Sequence, residues 1–471
     1  MRKKKILVIS LAAALCLAAI ALPLIRALTS PRDQWPTDEE MMQSTDSALV
    51  ASMRNTRGQE VERDIRRILE NMPHRDQRTL DKWDRNARNS PKAVRDYVSA
   101  VQALSPFITQ LESTDISSRI AEAVRGGSQS VSSGGVRGAV YLTCEAALGA
   151  HYAHNNKAAA EHIVATLRIA DAMTPSEDLS YQMTRMSILA TSLGTATFIC
   201  KESAFDRPST IELLAAIAST QSPEALSQSM RFIDKEIRLR SRLEDYRLIV
   251  AVEETTPSFG KKPVSDVVKK TSLALGMSIK NKSRKEVTAL QKEDLDACRK
   301  LSDLVKSSPP WPYYAAVKNE DWKKVIAHDL FSARLPTAHR LQEYAASTLV
   351  WQGNAMATAG TCRLKLLTRL FESQNHRLPA DIPELRTFTI ADAELSAALG
   401  ASESFWNDPY SGQPYKYVLA KDQAGKPISL KVYSVGPDLK DNGGKRQDNQ
   451  TGEEYDIVAT AKPLDAVTPG N

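Results

Sequence analysis

The chain lacks almost every mark by which a reaction can be read from sequence. It has no G-x-S-x-G elbow, Walker loop, dinucleotide fingerprint or H-E-x-x-H pair, so no serine nucleophile, nucleotide site or hydrolytic zinc is signalled. Its 5 cysteines include no C-x-x-C pair, which excludes a zinc knuckle. Aromatic residues make up only 6%, while alanine and leucine are frequent, a balance that suits helix better than sheet. Charge of one sign is not concentrated either: the net +6 is spread over 471 residues. No basic stripe with interleaved aromatics appears, and nucleic acid is therefore not an expected partner. Adjacent acids such as Glu39-Glu40 and Glu253-Glu254 point apart on a helix and form no dyad by themselves. These absences weigh against an enzyme without excluding one, because catalytic groups converge from distant positions.

What is present begins with one long apolar run. Ile6 to Ile25 is apolar except for Ser10, preceded by Lys3-Lys4-Lys5 and closed by Arg26. About twenty such residues span a bilayer core, and the short basic flank keeps the first residues cytoplasmic. This predicts a single-pass anchor in the inner (cytoplasmic) membrane with the bulk of the chain extracytoplasmic. A cleaved signal peptide, with Ala27-Leu28-Thr29 as a weak cleavage site, is the alternative. In that compartment disulfides are permitted. Cys144, Cys200 and Cys362 nevertheless stand among apolar helical neighbours, which predicts buried free thiols.

Helical periodicity dominates from Pro31 to about Leu335. Ser-Pro at 90–91, Arg-Pro at 207–208 and Ser-Pro at 222–223 are helix starts, and Ala93 to Leu104 has amphipathic spacing. The sequence predicts a connector near 126–135, built on Gly126-Gly127 and Gly134-Gly135. No Lys-Ser/Thr follows to make it a phosphate loop. Val136 to Met173 reads as a helical hairpin turning at His154-Asn155-Asn156, and Leu179 to Phe198 as a further helix. Ala225 to Glu254 reads as a long charged helix, with connectors near 257–263 and 309–314. His151, His154 and His162 form a candidate metal group, although a His/Asn hairpin tip is ordinarily just solvated.

From Leu341 to about Gln374 one long helix is expected, offering an apolar side through Ala345, Leu349, Ala355, Leu364, Leu367 and Leu370. Gly353 and Gly360 lower its propensity but permit close packing. The last stretch carries turn residues around two alternating runs, Tyr415–Leu419 and Leu430–Tyr433, which read as paired strands with one buried face. The Asp438-to-Asp456 loop concentrates hard oxygens. Asp438, Asp441, Asn442, Asp448 and Asp456, with Gly436, Gly443 and Gly444 to turn the backbone, form a candidate calcium loop. A solvated acidic hairpin is the alternative.

Asp408-Pro409-Tyr410, Gly412, Pro414-Tyr415 and Tyr417, then Val432-Tyr433-Ser434-Val435-Gly436-Pro437-Asp438 and Asp456-Ile457, resemble the C-terminal end of the major pseudopilins of type II secretion. His376-Arg377-Leu378-Pro379 and Ile382-Pro383-Glu384-Leu385 resemble the end of their stem. The resemblance implies a small α+β head whose Asp-rich loop binds calcium. The whole layout is similar to large uncharacterised membrane-anchored proteins of planctomycete and verrucomicrobial type. The Gly-Phe-Thr-Leu-x-Glu type processing site of pilins is lacking between Met1 and Ser30.

The expected architecture is thus mainly α: residues 1–30 as membrane anchor or signal segment, 31–335 as a large multi-helix domain, and 336–471 as a pseudopilin-like α+β head. The expected function is a non-enzymatic membrane-anchored cell-envelope protein, a scaffold that binds other envelope proteins. The alternatives are an extracytoplasmic hydrolase with its site in the helical domain, or a subunit of a secretion-like filament. No small-molecule substrate is identifiable.

Overall fold

The computed structural model describes residues 57–72, 91–125, 133–176, 179–221, 336–400, 403–425, 427–437, 439–445 and 456–461. The expected anchor at 1–30, the Ser222-Pro223 start, the 225–254 helix, the connectors at 257–263 and 309–314, Cys298, Asp438 and Asp448 lie outside them. The chain divides into two compact units. One comprises Met1–Val50, Glu236–Lys300 and Phe331–Gln342, of which only 336–342 are described, as α-helix. The other comprises Ala51–Lys235, Leu301–Leu330 and Glu343–Asn471, and the fold below is that of this second unit.

It is mainly helical with a small antiparallel sheet near its C-terminal end. Helix α1 (Arg57–Glu70) buries Val61, Ile65 and Ile68, one side of a regular helix. Helix α2 (Pro91–Ala103) begins on its proline, whose missing N–H costs nothing in a first turn. Two short helices follow, α3 (Ser105–Ser113) and α4 (Ile116–Arg125).

Helices α5 (Ser133–Tyr152) and α6 (Asn156–Ala172) form the expected hairpin. His154 takes the left-handed conformation at φ 58°, and the Asn155 side chain caps α6 by accepting from Ala158 N (3.1 Å). Helix α7 (Leu179–Glu202) packs on both arms. Helix α8 (Arg207–Ser219) carries Pro208 in its first turn under an Asp206 cap on Ser209 N (2.8 Å).

One expectation is corrected at 126–135. Gly134 and Gly135 are not connector but first-turn residues of α5. The buried Glu62 carboxylate of α1 accepts from Gly135 N (2.5 Å) and Val136 N (3.1 Å). A carboxylate fits there because the first amides of a helix are unpaired and carry partial positive charge. A Cβ at Gly135 would lie 2.8 Å from that carboxylate, so glycine is what admits it. The anion that a glycine-rich helix start can hold is supplied from within the protein.

Helix α9 (Pro336–Asn375) is the long helix expected. Its burial differs from a one-sided apolar stripe, since every residue from Thr361 to Glu372 is buried. Polar side chains on that stretch find main-chain partners. Lys365 Nζ donates to Thr197 O (2.6 Å), and Arg369 donates to Cys200 O (2.7 Å) and Lys201 O (2.8 Å) near the end of α7. Cys200 O and Lys201 O are among the last, unpaired carbonyls of α7, a natural seat for the Arg369 cation.

Helices α10 (Ile382–Ala391) and α11 (Ala393–Leu399) follow, capped by Asp381 and Asp392. Arg207 of α8 reaches Asp392 (2.9 Å) and Glu394 (2.6 Å). A 3-10 turn, Glu403–Trp406, leads into strands β1 (Lys416–Lys421), β2 (Pro427–Ser434) and β3 (Ile457–Ala461), ordered β1-β2-β3 and antiparallel throughout. Leu430, Val432 and Ala459 are buried. Tyr415 lies against Gly360 so closely that a side chain there would run into its hydroxyl, the close packing the glycine was expected to permit.

Candidate functional site

The Asp-rich loop was the leading site in the sequence, and three of its five residues are described. Asp441 accepts from the Tyr433 hydroxyl (2.9 Å) and Gly443 N (3.0 Å), and Lys416 Nζ stands 3.3 Å from its other oxygen. The Gly443 amide and these neighbours hold its carboxyl below the usual range. Burial, reinforced by Asp441, pushes the Tyr433 phenol up to about 12.

Asp456 is 3% exposed and accepts from Gly444 N (2.6 Å) and Asn442 N (3.4 Å). Asn442 therefore meets Asp456 through its backbone. Both carboxylates close the Gly443-Gly444 turn by accepting from N–H and O–H donors, whereas calcium collects six to eight oxygens. Among the described residues no cluster of three or more His, Cys, Asp or Glu side chains is disposed to hold a metal ion.

The histidines do not converge. His162 Nδ1 lies 2.9 Å from Glu112 Oε1 on the outside of the hairpin, and His154 is exposed. His151 turns inward to a different set of groups. The Asn156 amide donates to Ala204 O (3.0 Å), which turns its carbonyl oxygen toward His151 Nδ1, 3.0 Å away. Ser203 Oγ lies 3.5 Å from the same nitrogen, at the outer limit of hydrogen-bond distance. Glu202 stands 3.8 Å from Nε2, beyond hydrogen-bond reach. Serine, histidine and glutamate meet here without forming a nucleophile and base.

The residue of the tail that does most structurally was legible only as one letter of a motif. Asp408 is 1% exposed. Its carboxylate accepts from Tyr410 N (3.0 Å), Ser411 Oγ (3.1 Å), Ser434 Oγ (2.7 Å) and Val435 N (3.0 Å). It therefore joins the turn before β1 to the end of β2. The Asp-Pro pair signals a turn, but nothing local shows that a second segment will arrive from Ser434-Val435.

An open groove of about 210 Å³ lies between α2–α3 and the α5–α6 hairpin. Val101, Ile108, Ala146 and Gly149 line it, and Glu112 and His162 stand at its polar side. A Cβ at Gly149 would be 2.7 Å from Val101 Cγ1, so the glycine lets α5 approach α2. No family model, curated protein or solved structure matches this chain.

Proposed function

We propose that this protein is a non-enzymatic, membrane-anchored protein of the cell envelope, a scaffold that binds other envelope proteins through its helical body and carries a pseudopilin-like α+β head. The anchor reading rests on the apolar run from Ile6 to Ile25 with its flanking basic residues. The head reading rests on the tail motif, on a 40-residue helix and on the small antiparallel sheet beside it. The observation that favours binding over hydrolysis is the groove. Its lining mixes apolar residues (Val98, Val101, Ile108, Ala146) with polar ones (Gln102, Thr109, Asn155), as a protein-binding surface does, and its titratable pair, Glu112 and His162, is engaged with itself at 2.9 Å.

The test uses the full chain in its native membrane. A photo-crosslinking residue replaces Gln102 in the groove lining, and another replaces exposed Val418 as a control. Defined envelope proteins captured from position 102 and not from 418 are expected. Equal capture at both sites would discard the groove as the binding surface. Alkaline carbonate washing should leave the chain in the pellet; a soluble mature protein starting near Ser30 would refute the anchor.

A further inference from the structure

Helix α9 brings three cations into the interior in close succession, and two of them are accounted for. Lys365 and Arg369 reach main-chain carbonyls of α7, and Arg369 also pairs with Glu372 (2.7 Å). Arg363 is different. It is 4% exposed, its Nε is buried without a partner, and its guanidinium makes no hydrogen bond or ion pair among the described residues. The ring of Phe405 lies beneath it, 4.5 Å from centroid to Cζ. A ring face attracts a cation, but the five N–H bonds of a guanidinium lie in its own plane, and stacking satisfies none of them. Burial lowers its pKa to about 10, so the group remains charged at neutral pH.

A second donor without a partner stands beside it. Tyr415 is 3% exposed and its hydroxyl lies over Gly360, three residues before Arg363 and so on the same helix face. That hydroxyl has no hydrogen bond among the described residues. The carboxylate whose charge acts on Tyr415 is Asp408, and it is already held by four donors from its own turn and from β2. A buried guanidinium N–H without an acceptor is strongly destabilising, and Arg363 Nε, buried with no partner among the described residues, adjoins a second donor, the Tyr415 hydroxyl. Residues exposed by only 3–4% exclude a nucleotide or a peptide, so an acceptor for these donors has to be small.

We propose that a chloride-sized monovalent anion is bound between the guanidinium edge of Arg363 and the hydroxyl of Tyr415. It neutralises the buried cation and ties α9 to the segment entering β1.

The experiment exchanges chloride for gluconate, which is too large to enter, in the purified full chain at constant ionic strength. The melting temperature should rise with chloride and with bromide. Crystals grown in bromide should show an anomalous peak within hydrogen-bond distance of Arg363. In Arg363→Met the melting temperature should be the same in both salts. Tyr415→Phe keeps the ring over Gly360 and serves if the arginine variant does not fold; it should raise the half-saturating chloride concentration about tenfold, the worth of one hydrogen bond to a charged species. Equal melting in chloride and gluconate, with only water beside Arg363 in the bromide crystals, would overturn the proposal. So would an undiminished chloride dependence in Arg363→Met.

Discussion

Glu62 and Asp408 are both carboxylates almost wholly removed from water, one in the helical body and one in the tail, and they handle burial differently. Glu62 is 4% exposed and sits at the start of α5, where a helix already offers free amides; Arg66, one turn on, adds a guanidinium at 3.2 Å. Asp408 is 1% exposed and, among the described residues, has no helix end and no ion pair of its own, only amides and hydroxyls gathered from two separate segments. The body thus places charge where regular structure creates a complementary field. The tail, with three short strands and several turns, must build its donor set from irregular chain. The same division holds for cations, since Arg369 and Lys365 use the carbonyls of α7 while Arg363, among the described residues, has only the ring of Phe405.

That comparison can be broken most sharply at Asp408. Asp408→Ala leaves Tyr410 N, Val435 N and Ser434 Oγ without their acceptor, and should cost about 4 kcal/mol in chemical denaturation of the full chain. Asp408→Asn, which keeps one acceptor oxygen, should lose roughly half as much. A loss under about 1 kcal/mol for the alanine variant would show that solvent replaces the carboxylate.

Glu62→Ala should cost less, about 2 kcal/mol, because it frees two amides where Asp408→Ala frees four donors. If it equals or exceeds the Asp408 loss, the contrast between regular and irregular donor sets fails.

Lys365 gives a dependence on pH. Burial lowers its pKa to about 7 from an ordinary 10.5. Between these values the unfolded chain binds more protons than the folded one, so stability rises with pH. From pH 7 to 8.5 the gain should be about 2 kcal/mol. Above pH 9 it is opposed by Cys144 and Cys200, whose folded pKa values are raised to about 11 and 12. Lys365→Met should abolish the slope between pH 7 and 8.5; a slope that survives the substitution must come from another group.

Calcium is the smallest expected effect. With Asp441 and Asp456 already closing their turn on N–H and O–H donors, millimolar calcium should raise the melting temperature of the full chain by less than about 1 °C, equivalent to a few tenths of a kcal/mol. Asp456→Ala should remove whatever rise there is. Identical melting with calcium and with chelator would reduce the loop to a hydrogen-bonded turn.

Much of the architecture was legible because it is local. Pro91, Pro208 and the Asn155 turn mark helix ends through their own backbone chemistry, and the two alternating runs of the tail did become β1 and β2. Ile457–Ala461 was harder to read as a strand: it follows a long loop, and pairs with β2 only once that loop has folded back. The all-round burial of α9 was hidden for a similar reason. Arg363, Lys365 and Arg369 make that stretch look solvent-facing until α7 and Phe405 surround it. The carbonyl caps and Glu62 belong to the same class, since each joins residues dozens or hundreds of positions apart.

The free thiols of Cys144, Cys200 and Cys362 have a practical consequence. All three are buried, and burial pushes each pKa above that of an ordinary cysteine, so thiolate, the reactive form, is scarce in the folded protein. They lie on α5, α7 and α9, the helices at the centre of the described unit. An alkylating reagent can mark them only when those helices part. Site-resolved labelling over time therefore works as a clock, reporting which of the three helices separates first and how often the interior opens under native conditions.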